Sequence, residues 1–166
     1  MMKFKVDLHA FSESLTGVSR AVAVKGVRAI LANVLLLAGE NQLQLVGTDM
    51  EIMSLSRLPA EVESPGQCTI PAKLLQEVIS NLPTDESDGM VTFEQAHDQE
   101  GMLILRSRRG KYQLLVQGVE EFPPFPSLER EEFPKFSLNG PKIADIMKQV
   151  QIAMGTEESN AAQRGM

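Results

Sequence analysis

Apolar and polar positions change period repeatedly along this chain. Residues 3–6 alternate as a short strand, and apolar residues then fall at Leu8, Phe11, Leu15, Val18 and Val22. Steps of three and four place one face of a helix in a core. Asp7, immediately before it, is an N-cap residue type. Ala23 to Ala29 reads as a polar-to-basic loop. Ile30 to Leu37 is aliphatic and predicts a strand, and Gly39-Glu40-Asn41 a turn. Leu43 and Leu45 alternate with polar neighbours in the next strand. Thr48-Asp49 turns the chain, and Ile52 to Leu58 forms another strand that Pro59 ends.

The scheme then starts again. Cys68 to Ile70 predicts a short strand, Pro71 a helix start, and Leu74, Leu75, Val78, Ile79 and Leu82 an apolar helix face. Pro83 stops the helix, and Thr84 to Gly89 is an acidic turn. Met90 to Phe93, Met102 to Arg106 and Lys111 to Gln117 are three more strands. At an offset of 64, Val6 meets Ile70, Phe11 meets Leu75, Leu15 meets Ile79 and Val18 meets Leu82. The first domain is therefore expected to hold two copies of strand, helix and three strands with pseudo-two-fold symmetry. Its class is α+β, with eight antiparallel strands and two helices on one side of the sheets.

A longer repeat overlays the short one. Residues 3–22 return, altered, at 135–154, with Asp7 answered by Asn139. Phe11, Leu15, Val18 and Val22 fall opposite Ile143, Met147, Val150 and Met154. Glu121-Phe122-Pro123-Pro124-Phe125-Pro126 reads as a stiff connector between the copies. The expected organisation is a domain at 1–127, with half-repeats at about 1–60 and 67–118, and a truncated second domain at 128–166. One strand and one helix cannot bury a core alone, so order is expected to be marginal after about residue 129. Arrays of similar domains favour a scaffold over a single catalytic pocket.

Composition narrows the classes. The chain has 166 residues, 43% hydrophobic and 23% charged, an ordinary globular balance. No apolar run approaches the ~20 residues that span a bilayer, and Lys3, Lys5 and Asp7 interrupt any signal sequence. The single cysteine, Cys68, allows no internal disulfide and fits a reducing cytoplasm. Net charge is −6, but it is uneven. The three helical segments, with the loop after the first, hold six positive and three negative charges. The remainder holds ten positive and nineteen negative. Read globally, a charge of −6 argues against nucleic acid; the distribution instead leaves mildly basic helices on an acidic body.

Catalytic and metal signatures are sparse. His9 and His97 lack ligand spacing, and no phosphate-binding glycine loop occurs. Asp49 and Glu51 form the one tempting carboxylate pair, which would suit a small hydrolase; turn formation explains Asp49 more simply. The competing readings are that hydrolase and an interaction scaffold with no DNA role.

Several stretches resemble the bacterial beta sliding clamp family, the beta subunit of DNA polymerase III. They are residues 2–6, Ile30 to Leu36, Leu43 to Ile52, Ile70-Pro71-Ala72-Lys73, Arg106 to Tyr112 and Glu121-Phe122-Pro123. The resemblance implies the DNA clamp fold and a non-catalytic processivity factor in DNA replication, with no cofactor and no metal. It further implies a ring of two subunits around double-stranded DNA, with the replicative polymerase and the clamp loader as partners. On that resemblance this chain is the first domain and the start of the middle one. Lys25 and Lys73 match family DNA contacts by position. Arg20, Arg28 and Lys148 join them from the charge pattern. Arg109 and Lys111 correspond to the edge that meets the neighbouring subunit.

Overall fold

The computed structural model describes residues 1–23, 28–82, 89–96, 101–108, 110–124 and 137–154. They fall in two compact units, Met1–Phe125 and Pro126–Met166. In the first unit, β1 (Lys3–Asp7) leads into α1 (Leu8–Ser19), a 3-10 turn (Ala29–Ala32), β2 (Asn33–Gly39), β3 (Gln42–Thr48) and β4 (Met53–Pro59). After β5 (Glu61–Ser64) the order repeats as β6 (Gly66–Pro71), α2 (Ala72–Ser80), β7 (Met90–Gln95), β8 (Met102–Ser107) and β9 (Gly110–Leu115).

The repeat of 64 is structural. α1 begins at Leu8 and α2 at Ala72, and all eight residues matched at that offset are buried. The pairing adds what periodicity cannot express. One sheet runs β5-β1-β7-β8-β9 and the other β4-β3-β2-β6. Each half-repeat thus contributes its first strand to the sheet built by the other half's three strands. The registers obey the same symmetry. Val6 faces Val91 and Phe4 faces Phe93 in one sheet; Ile70 faces Val34 and Cys68 faces Leu36 in the other.

One apolar core joins an inner face of each sheet to both helices. It includes Phe4, Phe11, Leu15, Leu36, Leu45, Ile70, Leu75, Phe93 and Leu105. α1 packs against α2, β3 and β4. The α1 end is held tightly on β3: a Cβ at Gly47 would lie 2.7 Å from the Val18 carbonyl oxygen. A second apolar cluster covers part of the outer face of the β2–β3–β4 sheet. There Ile30, Leu31 and Phe122 cover Leu35 and Val46.

Four expectations need correction. Ile30 to Ala32 is a 3-10 turn, not strand; the apolar run hides it because Ile30 and Leu31 fold back over the strand that follows. Nine strands stand among the described residues, not eight. β5 was missed because a single half-buried Val62 between glutamates carries little pattern, and ion pairs to β1 help hold it: Lys3–Glu63 at 2.6 Å and Lys5–Glu61 at 3.9 Å. The Glu63 carboxylate holds the Lys3 ammonium above its usual pKa. The final strand ends at Leu115, with Gln117 in a separate bridge to Thr69. Phe122 is buried, so the proline-rich segment begins as part of the packed unit. The acidic turn expected at 84–89 and His97 lie largely or wholly outside the described residues.

In the second unit, α3 (Gly140–Gln151) has the same length as α1 and sits 132 residues later. Its cap repeats too. Asp7 Oδ1 accepts the Ala10 amide at 2.8 Å, and Asn139 Oδ1 accepts the Lys142 amide at 3.0 Å. The apolar stripe differs in its surroundings. Phe11, Leu15 and Val18 are buried, whereas α3 buries no residue and exposes Met147 and Val150. The strand expected at 135–138 lies partly outside the described residues.

Candidate nucleic-acid interface

The contact between α1 and α2 sets the geometry of the candidate surface. Each helix commits one stripe to the core, so the opposite stripe is free. On α1 that stripe exposes His9, Glu13, Thr16 and Gly17, with Arg20 exposed at the C-cap. On α2 it exposes Lys73, Glu77 and Ser80; Leu74, which the spacing places on the apolar face, is also exposed, at 39%. Lys73 stands in the first turn of α2, directly after the β6–α2 junction where Pro71 occupies the N-cap. Pro71 makes no side-chain cap, and its missing N–H leaves one fewer amide to satisfy at the helix start.

The proposed contacts divide by position. Arg20, Arg28 and Lys73 are exposed in the first unit. Arg28 immediately precedes the 3-10 turn and shares a cleft with Glu120 and Glu121. Lys148 is exposed on α3 in the second unit, 4.0 Å from Asp145 one turn earlier. Lys25 lies outside the described residues. Of the edge pair, Lys111 is exposed on β9, the outermost strand of its sheet. Arg109 lies outside the described residues. Among the described strands β9 pairs only with β8, which leaves its other edge for a further strand.

One position escaped the sequence reading. The offset of 64 that pairs the two helices also pairs His9 with Lys73, and both are exposed in first turns. The signal lies in the repeat, but by itself His9 reads only as a surface histidine near the helix start, without metal-ligand spacing.

The other chemical candidates resolve into structural roles. Asp49 Oδ1 accepts the amides of Glu51 at 2.9 Å and Ile52 at 2.7 Å. Thr48 Oγ1 donates to the Ile52 carbonyl and accepts the Met50 amide. These bonds hold Met50 at φ 83°, a left-handed conformation costly for a residue with a Cβ. The Ile52 amide, followed by that of Glu51, keeps the Asp49 carboxyl below its usual pKa. Cys68 is buried, and desolvation pushes its thiol up to about 12, where no nucleophilic thiolate forms near neutrality. Among the described residues, no three His, Cys, Asp or Glu side chains group to hold a metal. No described helix is long and apolar enough to cross a membrane.

Asp49→Ala is therefore expected to cost about 1 kcal/mol of stability, read by chemical denaturation. Because the folded carboxyl has the lower pKa, the wild-type advantage is full above about pH 4 and fades as pH falls further. An unchanged stability at pH 7 would contradict the turn assignment.

Two strand-exchanged half-repeats with paired helices define a module of the DNA clamp fold. Residues 2–135 match the family described as DNA polymerase III beta subunit, N-terminal domain, and the chain belongs to that family. A beta sliding clamp of Synechococcus elongatus is 35% identical over 133 residues, covering 79% of this chain and 34% of that protein. The beta sliding clamp of Pseudomonas aeruginosa is 27% identical over 169 residues, 99% of this chain and 43% of the relative. The crystal structure of the DNA polymerase III subunit beta from Pseudomonas aeruginosa aligns with a TM-score of 0.84 at 26% identity. It covers 99% of this chain and 43% of that one. The chain thus spans less than half the length of these relatives.

Proposed function

We propose that this chain is the N-terminal part of a DNA sliding clamp, a processivity factor that encircles duplex DNA and tethers a replicative polymerase. The observation that carries the reading is the pairing of α1 with α2, whose free faces bear Lys73 and Arg20 in a module of net negative charge. Lys73, Lys25, Arg20, Arg28 and Lys148 are assigned to the phosphates. A sliding contact must not read sequence, and cations on phosphates meet that need. A sparse set of them allows movement, and the acidic body keeps DNA from other surfaces.

In this reading residues 1–127 form the first clamp module and 128–166 begin the next. The β9 edge, with Arg109 and Lys111, meets a neighbouring subunit, and further modules complete the ring. A clamp loader is a second partner. The chain has no catalytic step of its own, works in the cytoplasm, and uses no metal or cofactor.

The test is the affinity of the chain for a short duplex at low salt. Replacing Lys25 and Lys73 together by alanine is expected to weaken binding about tenfold, equally for unrelated sequences. Equal affinity of the double variant and wild type would overturn the assignment of these two lysines. A fluorescence anisotropy titration distinguishes the outcomes.

A further inference from the structure

The sheet β4-β3-β2-β6 turns one face to the core and the helices, through Leu36, Leu43, Leu45 and Leu58. Their neighbours along each strand form the opposite face. Part of that face is covered by the Phe122 cluster. The part nearer the β2–β3 hairpin is an open cleft of about 730 Å³. Pairing registers fix its floor. Arg57 faces Gln44, Gln44 faces Leu37 and Leu37 faces Gln67, so one row of side chains crosses all four strands. All four residues line the cleft. The spacing between strands makes this row about 14 Å long, enough for about four residues of extended chain.

The next row deepens the cleft. Gly39 faces Gln42 there, and a Cβ built at Gly39 meets nothing within 4 Å. A glycine in a strand often marks the close approach of a ligand or another backbone. The hairpin tip beside it is pinned: Glu40 and Asn41 hold φ 50° and 58°, and the Asn41 carbonyl accepts the Ala60 amide at 3.1 Å. Such φ values are uncommon for a glutamate. The polar groups of the cleft are uncommitted. Among the described residues, the side chains of Gln42, Gln44 and Gln67 make no hydrogen bond within the chain, and Arg57 makes no ion pair.

These groups suit one kind of ligand. Carboxamides donate and accept, as a peptide main chain does. A guanidinium grips a single carboxylate through two parallel bonds. Leu37, half-buried between the two glutamines, supplies an apolar floor. A nucleic acid fits poorly, because phosphate binding needs several cations. Among the described residues that line the cleft Arg57 is the one cation, and Glu40 stands at the hairpin end.

We propose that this cleft binds an extended peptide segment of a partner protein, with one acidic side chain on Arg57 and the main chain on Gln44 and Gln67. The site lies on the sheet face opposite the helices, so it uses none of the residues assigned to phosphates and does not depend on DNA binding.

A randomised hexapeptide library displayed on phage and panned on the full chain tests this. Enriched peptides are expected to share one Asp or Glu. Titrated by fluorescence anisotropy, they should bind Arg57→Gln about tenfold more weakly than wild type. Gly39→Leu fills the cleft without a backbone clash and should weaken them by about tenfold or more. Both variants should melt with wild type and keep its affinity for duplex DNA. Enriched peptides without a shared acidic residue, or acidic ones that bind either variant as wild type does, would overturn the proposal. Displacement of the peptide by duplex DNA would also overturn it, since Arg57 would then be a phosphate contact. If Gly39→Leu melts early, Gln44→Ala replaces it: a loss of about threefold or more with an unchanged melt supports the site, and unchanged affinity overturns it.

Discussion

Phe93→Ala is expected to destabilise the chain by about 3–5 kcal/mol, much of the stability a domain of this size possesses. Phe93 is fully buried in β7. Its ring stacks on Phe4 of β1 with centroids 4.9 Å apart and meets Phe11 of α1 at 5.1 Å. Phe93 belongs to the second half-repeat, and both partners belong to the first. Truncation therefore opens a cavity at the joint between the halves, which neither half can close by collapsing on itself. Phe93→Leu, which keeps most of the volume, should cost far less. Urea denaturation followed by circular dichroism measures both. A loss below about 1 kcal/mol for the alanine variant would mean that the joint does not rest on this ring.

Gly47→Val is expected to cost about 2–3 kcal/mol for the opposite reason, overpacking. A Cβ at Gly47 would meet the Val18 carbonyl oxygen at 2.7 Å and methyl groups of Val18 and Val22 at 2.9 Å. Backbone oxygen cannot yield as a flexible side-chain end can, so α1 must lift from β3. That shift displaces the helix end carrying Arg20, and duplex affinity should fall together with stability. Gly17 is the internal control. It lies on the exposed face of the same helix, with nothing within 4 Å of a built Cβ. Gly17→Ala should leave stability unchanged or raise it by up to about 1 kcal/mol. Equal behaviour of the two glycine variants, in thermal melts and in binding, would contradict the packing account.

What the sequence disclosed and what it hid separate by the range of the interactions. Helix starts depend on a few neighbouring residues, so Asp7 and Asn139 marked caps that the structure bears out bond for bond. The repeat of 64 was legible because the same apolar positions must face the core twice. The exchange of β1 and β6 between halves was not legible, since pairing Val6 with Val91 is a choice between distant partners that no local pattern records. β2 hid its own beginning. Leu35 packs under Phe122 while Val34 and Leu36 face the main core, so both faces are apolar and alternation disappears. Phe122 looked like part of a connector because prolines surround it, and the cluster it fills comes from residues around 30–55.

The candidate surface followed the same division. Exposure of Lys73 and Arg20 could be read from their places opposite the apolar stripes. The cleft that Arg28 shares with Glu120 and Glu121 could not, because it brings together residues about ninety positions apart.

The central claim is that this module meets duplex DNA through phosphates alone. The most direct measurement is the dependence of duplex affinity on salt concentration for two unrelated sequences, using the intact chain. The account predicts superimposable curves, with log affinity falling linearly against log salt at a slope of about −0.9 for each phosphate neutralised. Replacing Lys73 by alanine should make that slope shallower by about 1. A salt-independent affinity, or a clear preference between the two sequences, would contradict it.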